Sequence, residues 1–202
     1  MTVHRLLLHA CCAPCAAHVC SLLAREHDVV VYYYNPNIAP RSEYDRRLDE
    51  LDRYARSEAF PLVVGGYDAR EWTRAVRGLR HQGERSARCG ACFRFRLAGV
   101  FRYARENGFA AVATVLSVSP HKDAALINEV GRSLAAESGI GFIEADFKKH
   151  DGFRRATALS RERGFYRQNY CGCIYSKLER DRSSTWFRKY CADRGATRIV
   201  PR

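Results

Sequence analysis

Nine cysteines stand in this 202-residue chain, and seven of them fall into three close groups: Cys11, Cys12 and Cys15; Cys89 and Cys92; Cys171 and Cys173. Each group lies in a stretch that reads as a loop or the start of a helix. Loop backbone can aim several thiolates at one centre, and a helix N-terminus favours the thiolate over the thiol. The types and spacing therefore point to metal ligation or thiol redox chemistry. The remaining two read differently. Cys20 lies on an apolar helical face and Cys191 stands alone in a basic tail, both as small hydrophobes.

Structural zinc takes four ligands in a closed tetrahedron, so seven thiols exceed one such site. The vicinal side chains of Cys11 and Cys12 diverge in most backbone conformations, which suits two corners of a cluster or two neighbouring centres. An iron–sulfur cluster with a second metal or a redox dithiol fits the count better. Cys171-Gly172-Cys173 can chelate one metal or close a strained, easily reduced disulfide. Two other readings stand beside this one. The thiols can be purely structural, in a zinc-stabilised RNA-binding protein. Alternatively, Cys12-Ala13-Pro14-Cys15, after a strand and opening a helix, has the context of a thioredoxin-like thiol oxidoreductase. That last reading leaves Cys89, Cys92, Cys171 and Cys173 without a task.

Fewer signals attend the other polar residues. Asp146, Lys148, Lys149 and His150 crowd one loop, where an acid or imidazole could give a proton and an ammonium could hold a phosphate. The same spacing also suits a solvated turn. His121-Lys122-Asp123 has an equal claim, with Asp123 a plausible cap for the next helix. Arginines 74, 77, 80, 85, 88, 94, 96, 102 and 105 surround the second cysteine pair and form the best candidate for an RNA-facing surface. Phe93 and Phe95 are placed to stack on bases or to pack inward.

These residues need a scaffold, and the patterning supplies one. Strands are expected at His4–His9, Asp28–Tyr34, Pro61–Val64, Ala111–Leu116 and Gly141–Glu144. Helices are expected after Pro14 to about Arg25, from an N-cap at Ser42, over Ala69–Arg77, Cys92–Glu106 and Ala124–Glu137. Cys89 and Cys92 then fall in or at the end of a polar Gly/Arg loop. Alternating strands and helices imply a Rossmann-like (HUP-type) α/β fold with a parallel five-stranded sheet in the order 3-2-1-4-5. One domain over 1–202 is expected, with a helical C-terminal part and a basic tail from about 180, where Trp186 and Phe187 would pack down. In that order strands one and four meet where ligands bind, outside the carboxyl ends of the strands. The first cysteine group follows strand one, and Ser119-Pro120-His121-Lys122 follows strand four.

The bulk composition sets the setting. No window approaches the roughly 20 apolar residues of a membrane span. The run Leu6-Leu7-Leu8 before Cys11 is too short and too near Met1 for an export signal. Clustered thiols in such a chain are expected in the reducing cytoplasm. Basic residues number 34 against 22 acidic, a formal charge of +12, and only five of the bases are lysine. That imbalance draws polyanions and makes their binding salt-dependent.

Five stretches together carry a resemblance. They are His9-Ala10-Cys11-Cys12-Ala13-Pro14-Cys15; Gly83-Glu84-Arg85 through Cys89-Gly90-Ala91-Cys92-Phe93-Arg94; Ser117-Val118-Ser119-Pro120-His121-Lys122; Ala145-Asp146-Phe147-Lys148-Lys149; and Tyr166-Arg167-Gln168-Asn169-Tyr170-Cys171-Gly172-Cys173. The chain resembles the cobalamin-independent epoxyqueuosine reductases, the QueH family, from strand one to about Ser176. The resemblance implies a 4Fe-4S cluster, with a second mononuclear iron or other divalent metal beside it. It implies a tRNA substrate carrying epoxyqueuosine at the wobble position of the anticodon stem-loop, and an electron donor. Residue by residue, it puts the cluster on Cys11, Cys12, Cys89 and Cys92. Cys171 and Cys173 become a redox pair or ligands of the second metal, with Cys15 near them. His121, Asp146 and Lys148 are expected to line the substrate pocket.

Overall fold

A computed structural model of the chain describes residues 4–183. Strands β1 (His4–His9), β2 (His27–Tyr33), β3 (Leu62–Val64), β4 (Ala111–Thr114) and β5 (Gly141–Phe142) form one parallel sheet, in the order β3-β2-β1-β4-β5. This is the order that the alternation implies. The helices are α1 (Ala13–Leu23), α2 (Arg41–Ser57), α3 (Ala69–Val76), α4 (Ala87–Glu106), α5 (Ala124–Ser138), α6 (Gly152–Glu162) and α7 (Ile174–Ser183).

The central strand explains the uninterrupted apolar run near the N-terminus. Leu6, Leu7 and Leu8 have no exposed surface, because helices cover both faces of a parallel sheet. Leu6 and Leu8 pack toward Ala13, Ala16, Leu51 and Tyr54 of α1 and α2. Leu7 faces the other way, against Leu97, Val100 and Phe101 of α4 and Leu134 of α5. Gly99 lets α4 lie close on the sheet, since a Cβ there would come within 2.3 Å of the Tyr34 ring. That contact outweighs the weak helix propensity of glycine.

Two helix starts differ from the sequence reading. Helix α2 begins at Arg41, and Pro40 rather than Ser42 holds the cap position, its carbonyl accepting from the amides of Glu43 and Tyr44. Helix α4 begins five residues early, at Ala87, with the Ser86 hydroxyl accepting from the Arg88 amide at 3.2 Å. Gly90 masks this start in the sequence. Cys89 and Cys92 therefore ride the opening turns of a long helix, not a loop. Asp123 caps α5 as expected, accepting from the amides of Ala125 and Leu126. Strand β4 is shorter than its apolar run, because the backbone enters a 3-10 turn over Val115–Val118. Cys191, Trp186 and Phe187 lie outside the described residues. Among the described residues, no helix is long and apolar enough to cross a membrane.

Candidate active site

Beyond the carboxyl ends of β1 and β4, segments that follow the strands help to line a cavity of about 650 Å³. Thiols from all three sequence groups border it: Cys15 from the start of α1, Cys89 and Cys92 from α4, and Cys171 and Cys173 from the loop before α7. Cys11 and Cys12 lie buried behind Cys15, with their sulfurs 3.8 Å apart. All seven are free thiols. Among the described residues, no three His, Cys, Asp or Glu side chains close on a single ion position. A four-iron cluster asks for something different, because each thiolate binds its own iron rather than crowding one ion.

Each group is held by ordinary local forces. Cys12 is the extended N-cap of α1 and Pro14 sits in its first turn, which leaves Cys11 and Cys12 at the strand-to-helix corner. The Asn35 amide donates to the Ala10 carbonyl at 2.9 Å and fixes the corner from β2's side. On α4, Arg88 is buried and donates to Glu179 of α7 at 2.8 Å. That ion pair ties the second cysteine pair to the third.

The Cys171-Gly172-Cys173 loop rests on α2. Arg47 is almost wholly buried, pairs with Glu43 at 2.7 Å, and donates to the carbonyls of Cys171 and Tyr170 at 3.2 and 3.3 Å. Glu43 also accepts from the Tyr166 hydroxyl at 3.0 Å, and Glu50 accepts from the Tyr166 amide at 2.7 Å. Gly172 has φ 127°, and a Cβ there would lie 3.1 Å from both Arg47 Nη1 and Ile38 Cγ1. Gly172→Ala is therefore expected to lower stability by more than the roughly 1 kcal/mol of a glycine-to-alanine change at a compatible site, with opposite sign. Urea denaturation checks this, and an unchanged midpoint would contradict it.

The thiols do not share one environment. Hydrogen bonds from Cys12 and Cys15 pull the Cys11 thiol well below its ordinary range, with Lys122 and Arg96 adding to the pull. The same hydrogen bond pushes Cys12 up to about 11. Burial raises Cys89 and Cys92, and pushes Cys173 up to about 12.

Of the other expected residues, His121 is on the cavity wall. Asp146 and Lys148 are not; they pair with each other at 3.1 Å, and the Lys148 ammonium donates to the Lys122 carbonyl at 3.4 Å. They brace the segment that carries Lys122. Lys122 itself lines the cavity, and although burial opposes its charge, Cys171, Cys11 and Cys15 hold its ammonium above the usual lysine range. Sequence patterning alone did not separate it from Lys148 and Lys149. The arginine group also divides. Arg88 and Arg96 turn inward, while Arg85 lines the cavity with Arg167. Phe93 borders the cavity, and Phe95 packs into the core. Gln168, which patterning did not single out, donates to Cys12 Sγ at 3.2 Å.

The family model described as Epoxyqueuosine reductase QueH matches residues 6–179. The Epoxyqueuosine reductase QueH of Thermotoga maritima is 36% identical over 177 residues, covering 86% of this chain and 91% of that protein. That of Histophilus somni is 37% identical over 175 residues, covering 86% of this chain and 72% of that protein. The matched span contains all three cysteine groups, and the chain belongs to the epoxyqueuosine reductase QueH family.

Proposed function

We propose that this chain is an oxidoreductase that reduces the epoxide of epoxyqueuosine to queuosine in tRNA, the last step of queuosine biosynthesis, in the reducing cytoplasm. One observation carries the reading. Five thiols from three distant segments line one cavity, with Cys11 and Cys12 buried beside Cys15, in a chain of this family. The reaction turns an epoxide into an alkene, consumes two electrons and two protons, and releases the oxygen as water.

The donor set fits a 4Fe-4S cluster. Soft thiolates suit iron, and the cations Arg47, Arg96 and Lys122 lie close enough to pull on Cys11 or its neighbours. Cys11, Cys12, Cys89 and Cys92 would hold the cluster, and Cys171 and Cys173, with Cys15, a second mononuclear iron or a redox pair. A bound cluster supplies electrons singly, at a potential set by nearby charge and hydrogen bonds.

The chain's own residues supply the rest. The Lys122 ammonium, at the cavity wall beside the thiols, holds the negative charge that grows on the epoxide oxygen as its bond to carbon breaks. His121, on the same wall, contacts the bound base, and the Asp146–Lys148 pair keeps the loop under Lys122 in place. Arg85 and Arg167 at the cavity meet tRNA phosphates, which makes binding fall with added salt. Phe93 and Tyr170 give the cavity aromatic surface for the base.

Turnover is the test. Anaerobically purified protein with a chemical reductant is expected to convert epoxyqueuosine in tRNA to queuosine, seen as loss of one oxygen from the nucleoside mass. Iron-loaded protein that leaves the nucleoside unchanged would overturn the assignment.

A further inference from the structure

Arg96 is a charged side chain with 2% exposure, deep beneath the cavity floor. It stands one helical turn beyond Cys92 on α4, so the two share a helix face. Its Nη2 donates to Asn35 Oδ1 at 2.5 Å and lies 3.3 Å from His9 Nε2. Neither partner is an anion. Asn35 is a neutral amide, and the His9 imidazole carries no negative charge. No carboxylate pairs with Arg96 among the described residues, and its Nε–H is buried without a partner.

A guanidinium in this position is costly unless an anion offsets it, because a buried unpaired charge loses several kcal/mol of solvation, roughly. A thiol can supply such an anion once it ligates a metal. Cys92 stands one turn earlier on α4, and Asn35, which Arg96 bonds, also donates to the Ala10 carbonyl beside Cys11, so Arg96 lies between the first and second cysteine groups. Arg47 makes the contrast plain: it is as deeply buried, yet has Glu43.

We propose that Arg96 is a positioning residue for the iron–sulfur site, whose fixed positive charge and free N–H donor behind Cys11 and Cys92 raise the reduction potential of that site. The proposal rests on the reading that the thiols hold a cluster. A cluster gains one negative charge when reduced, so a nearby fixed cation stabilises the reduced form more than the oxidised one. The direction follows from charge alone.

The test is a mediated redox titration of anaerobic protein followed by visible absorption, with iron and sulfide measured in every sample. Arg96→Gln with wild-type iron content is expected to lower the reduced-to-oxidised ratio at a fixed potential by about tenfold, about 59 mV for a one-electron couple. Arg96→Lys, which keeps the charge, is expected to retain most of the wild-type potential. Asn35→Asp leaves the guanidinium in place but sets a carboxylate against it, and is expected to move the potential down as well. It decides the matter if Arg96→Gln does not take up iron. Iron-loaded variants with an unchanged potential would overturn the role of Arg96 alone. Wild-type protein without iron and sulfide would overturn the reading beneath it.

Discussion

Lys122→Met is expected to lower kcat by roughly 10²–10³, the usual effect of removing one preorganised charge from a growing oxyanion. KM should change little, because the interaction strengthens only as the carbon–oxygen bond breaks. Lys122 follows β4 and its 3-10 turn and lines the cavity together with Cys15 and Cys171. An ammonium held there stays cationic while it meets the substrate oxygen. Single-turnover kinetics on epoxyqueuosine-containing tRNA, with iron content matched to wild type, measures the effect. A rate equal to wild type at equal iron content would remove Lys122 from the chemistry.

Arg47→Met is expected to destabilise the fold by about 3–5 kcal/mol, the range for removing one partner of a buried ion pair. The whole chain is expected to have roughly 5–15 kcal/mol in hand. The substitution leaves Glu43 buried without its cation and strips a donor from the carbonyls of Tyr170 and Cys171. Both effects fall on the loop that presents Cys171 and Cys173, so iron uptake should fall with stability. Glu43→Gln added to Arg47→Met should recover part of the loss, because it removes the stranded charge. Urea denaturation of the two variants reads both results. A loss below about 1 kcal/mol, typical of a surface pair, would contradict the buried role assigned to Arg47.

Much of this was legible in the residues. The β-branched and apolar runs located all five strands, and right-handed crossovers then left the order β3-β2-β1-β4-β5, which the sheet adopts. The cysteine groups marked the cavity because thiols at strand ends and helix starts are placed for ligation. What escaped lies on helix faces. Arg88 and Arg96 read as part of a basic surface, because arginine is rarely buried, yet both turn inward toward α7 and the sheet. Glu43, Arg47 and Glu50 recur at helical spacing beside Tyr44, Leu48 and Leu51. That spacing is the one signal that the apolar face of α2 carries buried charges. Lys122 could not be told from Lys148 by type or by loop position; only the cavity wall separates them. Glycine at position 90 hid the first turns of α4, since its low helix propensity is overruled by the Ser86 cap and the packing beyond it.

The proposed reduction requires sulfurs from three segments to hold iron at one centre, and anaerobic iron and sulfide analysis with the visible spectrum tests that most directly. Wild-type protein is expected to be brown, with at least four irons and about four sulfides per chain, and Cys89→Ala to lose most of both while remaining folded. Colourless wild-type protein, or a Cys89→Ala variant that keeps the full complement, would contradict it.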